Sequence, residues 1–212
     1  MKTFNHFVNI HAGKKAIVMG LGVSTNSIIG MDLSDVITIG VNDIDKVYSP
    51  KYALTLDSPQ RLGPERSAYL KKTNAEYMFT QLKDWSNIES IKDRIIEFKL
   101  GSRALNNIDN NGTLDFSCNS PYVAIILAYQ MGCREIGVIG VDFTDNHCHM
   151  QDGTHELVRN GRLPEIERDY SRLHSALKCR KCNVYNLSEI SNLTALPKIG
   201  IENFLKDEIH NT

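Results

Sequence analysis

The sequence predicts an α/β fold: a mainly parallel β-sheet with helices on both faces, three layers in all, within one domain spanning residues 1–212. Three observations predict it. Short apolar runs rich in β-branched residues alternate with helix-like stretches, the order expected of parallel strands joined by helical crossovers. Several of these runs are apolar without interruption, as strands buried on both faces are. At 212 residues the chain is long for one domain and short for two, and no internal repeat or low-complexity tract divides it.

The first strand is Ala16-Ile17-Val18-Met19, ending at Gly20. The second runs from Val36 to Val41 and the third from Tyr52 to Leu56. Tyr77 to Phe79 and Ile95 to Phe98 are weaker candidates, Ile136 to Val141 is a strong one, and Asn183 to Asn186 is the last. Among the helices, Pro121 to Met131 is apolar on nearly all sides and belongs against the sheet. Ser120 is its N-cap candidate, Pro121 takes the first helical position, and Gly132 stops it. Pro164 to Lys178 is amphipathic, with Ile166, Tyr170, Leu173 and Leu177 on one stripe. Residues 65–72 and 201–209 read as surface helices. Asn106 to Phe116 and Thr144 to Arg162 lack periodicity and read as mobile loops, where function often resides.

Composition excludes several classes. Apolar residues are 42% and charged residues 23% of the chain, and the formal net charge is -1. No broad basic field exists for a nucleic-acid backbone or an anionic membrane. No apolar run approaches the roughly 20 residues of a transmembrane helix. The N-terminal stretch has no apolar core of the signal-peptide kind. Five cysteines, an odd number without framework spacing, fit a cytoplasmic location. Apolar patches on the candidate helices belong either to the core or to a homo-oligomer surface.

The chemistry gathers at strand ends. Gly20-Leu21-Gly22-Val23-Ser24 follows the first strand, and its glycines allow a sharp turn and close approach of backbone to a ligand. A helix starting there offers unpaired N–H groups and a positive dipole end to a phosphate, with Ser24, Thr25 and Asn26 as caps. The competing reading is a tight turn with no ligand. The dinucleotide fingerprint is incomplete, because Thr25 stands at the third glycine position. Asn42-Asp43 nevertheless lies about where a ribose-binding acid would be, which keeps an NAD-dependent dehydrogenase in view. Asp57 and Ser58 follow the third strand, Asp142 follows the strand at 136–141, and Asn186 and Ser188 close the last. Polar residues at several parallel strand ends converge on one crevice, although Asp and Asn are also ordinary turn residues.

Asp142 and the segment after it, with His147, His149 and His155, bring carboxylate and imidazole together, candidates for catalytic acid–base work or for a metal. A polar surface loop is the plainer alternative, and no metal site is assigned. Cys179 and Cys182 form a lone CxxC at a helix end, read as structural because zinc needs a second pair.

Two families share parts of this pattern. Asn119-Ser120-Pro121, the helix ending in Gly132-Cys133-Arg134-Glu135-Ile136, and Gly140-Val141-Asp142-Phe143 resemble the central block of bacterial lipooligosaccharide sialyltransferases. Gly20 to Ser24 is similar to their Gly-Asn-Gly-Pro-Ser loop, and Val41-Asn42 to their Cys-Asn after the second strand. MptE-like pterin pyrophosphokinases and motility accessory factors share the Gly-x-Gly-x-Ser loop. They also share a third strand ending as Leu56-Asp57-Ser58-Pro59 does here. Both groups have Rossmann-like folds and bind nucleotides.

The resemblance implies that Gly20, Gly22, Ser24, Asn42 and Ser120 contact the nucleotide, with Asn186 and Ser188 as further candidates. It also implies a loop histidine as general base, His155 first and His149 second. The chain departs from the sialyltransferases at Leu21 and Val23, lacks a counterpart of their paired donor-phosphate tyrosines, and has a much shorter lid region.

The leading expectation is a nucleotide-dependent transferase, in its most specific form a glycosyltransferase taking a CMP-sugar and a small-molecule or glycan acceptor, without a metal. A pyrophosphokinase would instead move diphosphate from ATP and require Mg2+, held in outline by Asp57 and Asp142. A nucleotide-binding protein without catalysis is the third reading.

Overall fold

The computed structural model describes residues 2–103, 105–144 and 160–206. Among these residues the main sheet is built from β1 (Lys15–Met19), β2 (Ile37–Val41), β3 (Tyr52–Thr55), β4 (Tyr77–Thr80), β5 (Ile95–Glu97), β8 (Glu135–Ile139) and β9 (Asn183–Asn186). Their spatial order is β5-β4-β3-β2-β1-β8-β9, with every pairing parallel. Strands β2 to β5 step outward in order to one side of β1, and β8 and β9 lie on its other side. The strand order therefore reverses between β1 and β8. All seven strands coincide with runs expected from the sequence, and the architecture is the expected Rossmann-like α/β sheet.

Alternation along β1 assigns the two faces. Ala16 and Val18 point toward α3 (Ser120–Gln130), α4 (Leu163–Lys178) and the N-terminal 3-10 turn Phe4–Phe7. Ile17 and Met19 point the other way, toward Ile28 and toward Phe204 of α5 (Ile201–Leu205). Beneath β3 and β4 that second face is covered by α1 (Pro59–Lys71) and α2 (Lys83–Ser86), through Leu62, Leu70 and Trp85. The terminal helix α5 is thus more than a surface helix: Phe204 is fully buried, and Lys15 Nζ donates to the carbonyls of Phe204 and Lys206.

The helix α3 is buried from Pro121 to Gln130. It has no polar stripe because it lies between the sheet, α4 and the smaller sheet, so its apolar surface is core within one chain. Its N-cap is Asn119 rather than Ser120: Asn119 Oδ1 accepts from Tyr122 N at 3.3 Å and from Tyr170 Oη at 2.7 Å. Ser120 is thereby the first helical residue.

The segment 106–116 departs from its expected mobility. β6 (Lys99–Arg103) and β7 (Thr113–Phe116) form a second, two-stranded parallel sheet. The buried Asp115 carboxylate accepts from the backbone N–H groups of Ser102, Asn106 and Asn107. From the other end, Gln130 Nε2 donates to the carbonyls of Ile108, Asn110 and Thr113, and its Oε1 accepts from Gly112 N. Side-chain hydrogen bonds replace the missing apolar periodicity. The lone CxxC is split as well, with Cys182 buried, its thiol pushed up to about 12 by burial, and Cys179 exposed.

Two predictions follow from this packing. Ile126→Ala in α3 removes a fully buried side chain and lowers unfolding stability by about 2–5 kcal/mol in urea titration. Burial, aided by Lys51 for His11 and Lys178 for His174, depresses both histidine pKa values below 6.5. The unfolded chain then binds more protons, so stability is complete above about pH 6.5 and falls as pH drops through that value. The double variant H11Q/H174Q flattens this decline between pH 7.5 and 5.5.

Candidate functional site

The site grows from the contact between two loops, one after β1 and one after β8, where the strand order reverses. Gly20 N donates to Ile139 O and Gly22 N to Gly140 O, each at 2.8 Å. This backbone approach explains the glycines. A Cβ on Gly20 would overlap Gly140 O, one on Gly22 would stand 2.5 Å from Asp142 Oδ2, and one on Gly140, at φ 75°, would overlap Thr25 Oγ1.

Asp142 closes the contact. It is 2% exposed and accepts from Ser24 N at 2.8 Å, from Ser24 Oγ at 2.6 Å and from Ser188 Oγ at 2.8 Å. Ser24 Oγ in turn accepts from Gly140 N at 2.9 Å. One carboxylate therefore ties the loops after β1, β8 and β9 into a single wall. The expected helix after the glycines is a six-residue 3-10 turn, Val23–Ile28, and its Ser24 N–H is directed to Asp142 rather than left for a phosphate.

The third loop of that wall is set by Asn186. Its Nδ2 donates to Leu193 O and its Oδ1 accepts from Ser188 N, while Ser191 Oγ and Asn192 N donate to the carbonyls of Val141 and Asp142. Asn186 is 1% exposed and orders the 188–193 turn.

A second group lies on the other side of β1. Asn42, at φ 50°, accepts from Thr55 Oγ1 at 2.9 Å and approaches Asp57 Oδ2 with Nδ2 at 3.4 Å. Asp57 also pairs with Arg61 at 3.0 Å, and its carbonyl accepts from Trp85 Nε1. Asp43 is 1% exposed and receives Nε and Nη2 of Arg66 on one oxygen at 2.9 and 2.7 Å. The acid that stands where a dinucleotide ribose would be held thus faces an arginine.

Ser120 sits on the first turn of α3, half-buried, and its hydroxyl has no hydrogen-bond partner among the described residues. The next residue, Pro121, is the group whose Cγ would lie 3.3 Å from a Cβ on Gly20. Gly20, Gly22, Ser24, Asp142 and Ser188 are therefore in direct contact, Asn42 with Asp57 forms a neighbouring pair, and Ser120 overhangs them. His147, His149 and His155 lie outside the described residues.

Asp57 and Asp142 follow strands three positions apart, roughly 14 Å at about 4.8 Å per strand. With their oxygens directed to Arg61 and to three hydrogen-bond donors, they do not fit one Mg2+ shell. Among the described residues no group of three or more His, Cys, Asp or Glu is arranged to hold a metal.

Sequence reasoning missed Thr55, Arg66 and the 191–192 turn, and it named Asn119 as part of the turn before α3 but not as its cap. Only Asn119 carried a signal, as a strong N-cap type directly before Ser-Pro. The others act through contacts between strands distant in sequence.

No protein-family model matches the chain, and no curated protein does. Among solved structures, the MAf glycosyltransferase from Magnetospirillum magneticum AMB-1 is similar at TM-score 0.59 and 12% identity, over 92% of this chain and 35% of that one. The chain thus spans about a third of that protein's length. The sialyltransferase CstII from Campylobacter jejuni in complex with cytidine-5'-monophosphate is similar at TM-score 0.51 and 14% identity, over 89% and 86%. A complex of the sialyltransferase CST-II with a trisaccharide acceptor and CMP gives 0.50 and 14%, over 88% and 86%. What is shared at these identities is the fold. No helix among the described residues is long and apolar enough to cross a membrane.

The hydrogen-bonded wall makes a direct prediction. Asp142→Asn keeps the shape but turns one acceptor oxygen into a donor facing Ser24, and stability falls by about 1–3 kcal/mol. Ser188→Ala costs about 1 kcal/mol. Unfolding midpoints of both variants check this, and an unchanged D142N midpoint contradicts the structural role.

Proposed function

We propose that the chain is a nucleotide-dependent transferase of the glycosyltransferase kind, binding its nucleotide-activated sugar in the crevice above β1 and β8. The observation that carries the reading is the reversal of strand order at that point, with the loops after β1, β2, β3, β8 and β9 arrayed around it. Open α/β sheets take their ligands at such reversals, outside the carboxyl ends of the strands. The same fold in a sialyltransferase solved with CMP supports CMP as the nucleotide to try first.

In this reading Asn42, Asp57 and Ser120 meet the nucleotide, and the knot of Gly20, Gly22, Ser24, Asp142 and Ser188 supplies a rigid wall. Asn186 acts one step behind, by ordering the turn that carries Ser188. The acceptor hydroxyl gives its proton to a histidine, His155 in the first instance and His149 in the second, as its oxygen attacks the anomeric carbon. The bond from that carbon to the phosphate oxygen breaks, and the nucleotide leaves with the electron pair, stabilised by hydroxyl and N–H donors. No step needs a metal.

Thermal melting with CMP, CDP, ATP, NAD and S-adenosylmethionine, each with and without Mg2+, tests the binding claim. A shift with CMP that persists in EDTA is expected. A shift with ATP that requires Mg2+ favours the pyrophosphokinase instead, a shift with NAD alone restores the dehydrogenase, and no shift at all refutes nucleotide binding. Once an acceptor is found, His155→Asn lowers kcat by about 100-fold or more while CMP affinity stays unchanged.

A further inference from the structure

Beside the first turn of α3, two arginines from distant segments converge on one sulfur. Arg103 Nη2, at the end of β6, lies 3.2 Å from Cys118 Sγ, and Arg162 Nη2, at the N-cap of α4, lies 3.0 Å from it. Both also bond Glu165, Arg162 through Nε at 2.7 Å and Arg103 through Nη2. Arg168 acts on Glu165, and the buried Asp169, which accepts from Ser117 Oγ, acts on Arg162. Among the described residues, Arg103 and Arg162 thus share the single carboxylate of Glu165, while Asp169 is buried and engaged by Ser117.

The guanidiniums are accessible, with side chains 46% and 38% exposed. Among the described residues, Arg103 Nε and Nη1 and Arg162 Nη1 have no protein acceptor. A thiol sulfur is a weak acceptor, so the N–H groups directed at Cys118 are poorly satisfied. Phosphate oxygens match paired guanidinium forks far better. The place is the rim of the crevice: Cys118 precedes Asn119 and Ser120, and Pro121 of the same turn lies against Gly20.

We propose that Arg103 and Arg162 form a phosphate subsite at this rim and take the phosphate of the bound nucleotide. The nucleotide's identity rests on the function proposed above, whereas the anion site does not.

Inorganic pyrophosphate and CMP, with cytidine as the phosphate-free control, test this on the full chain at constant ionic strength. Pyrophosphate raises the melting temperature of the wild type, and R103Q/R162Q abolishes the rise. Calorimetry gives CMP at least about tenfold tighter binding than cytidine, with most of that margin lost in either single variant, R103Q or R162Q. Cys118→Ser, which leaves both cations in place, keeps the pyrophosphate response. Should the double variant not fold, the single variants decide, each with a weakened response. No response in the wild type, or an equal one in the variants, overturns the subsite. A response that depends on the arginines, with CMP binding no better than cytidine, keeps the subsite and removes the nucleotide reading.

Discussion

The buried carboxylate of Asp142 bonds to Ser24 on one side and Ser188 on the other, across the point where the sheet changes direction. A carboxylate excluded from water is costly unless donors surround it, and here two hydroxyls and a backbone N–H do so. The loops after β1, β8 and β9 consequently have one arrangement. The close approach of Gly20 to Gly140 is possible only without side chains, so glycines and carboxylate specify the same geometry by different means. What looks in the sequence like a ligand-binding turn is first a joint between two strand ends.

The legible parts of this fold were those governed by apolar patterning. Runs such as Ile17 to Met19 and Ile136 to Ile139 are continuous because both faces of the sheet are covered, and α3 lacks a polar stripe because it is enclosed. The smaller sheet was illegible. β6 and β7 are short and partly exposed, and their loop is held by the side chains of Asp115 and Gln130, whose partners cannot be read from spacing. The cap of α3 was displaced by one residue because Asn119 and Ser120 are both cap types, and Tyr170, far along the chain, holds Asn119.

The site was legible in outline only. Strand ends named the loops, but not which polar groups face one another and which face a ligand. Asp142 and Asn186 turn inward and order neighbouring loops, while the Ser120 hydroxyl beside the crevice has no partner among the described residues. The cationic rim of Arg103 and Arg162 was invisible because its members lie on β6 and at the start of α4, with Cys118 between them. Shared fold with a sialyltransferase leaves room for such differences, since the sheet fixes where loops end and not what they carry.

The register of β1 against β8 also governs how the molecule comes together in time. Lys15 pairs with Glu135 and Met19 with Ile139, so the central strand must wait for a partner far down the chain, whereas its other neighbour, β2, follows within a few tens of residues. During synthesis, β1 to β5 can assemble outward in order of emergence while one edge of β1 stays open. That edge closes only when β8 arrives, and Ser188 follows later still. Pairings of such long sequence separation are slow to form. The crevice thus depends on the most sequence-distant contacts that β1 and its loop make, those with β8 and with Ser188.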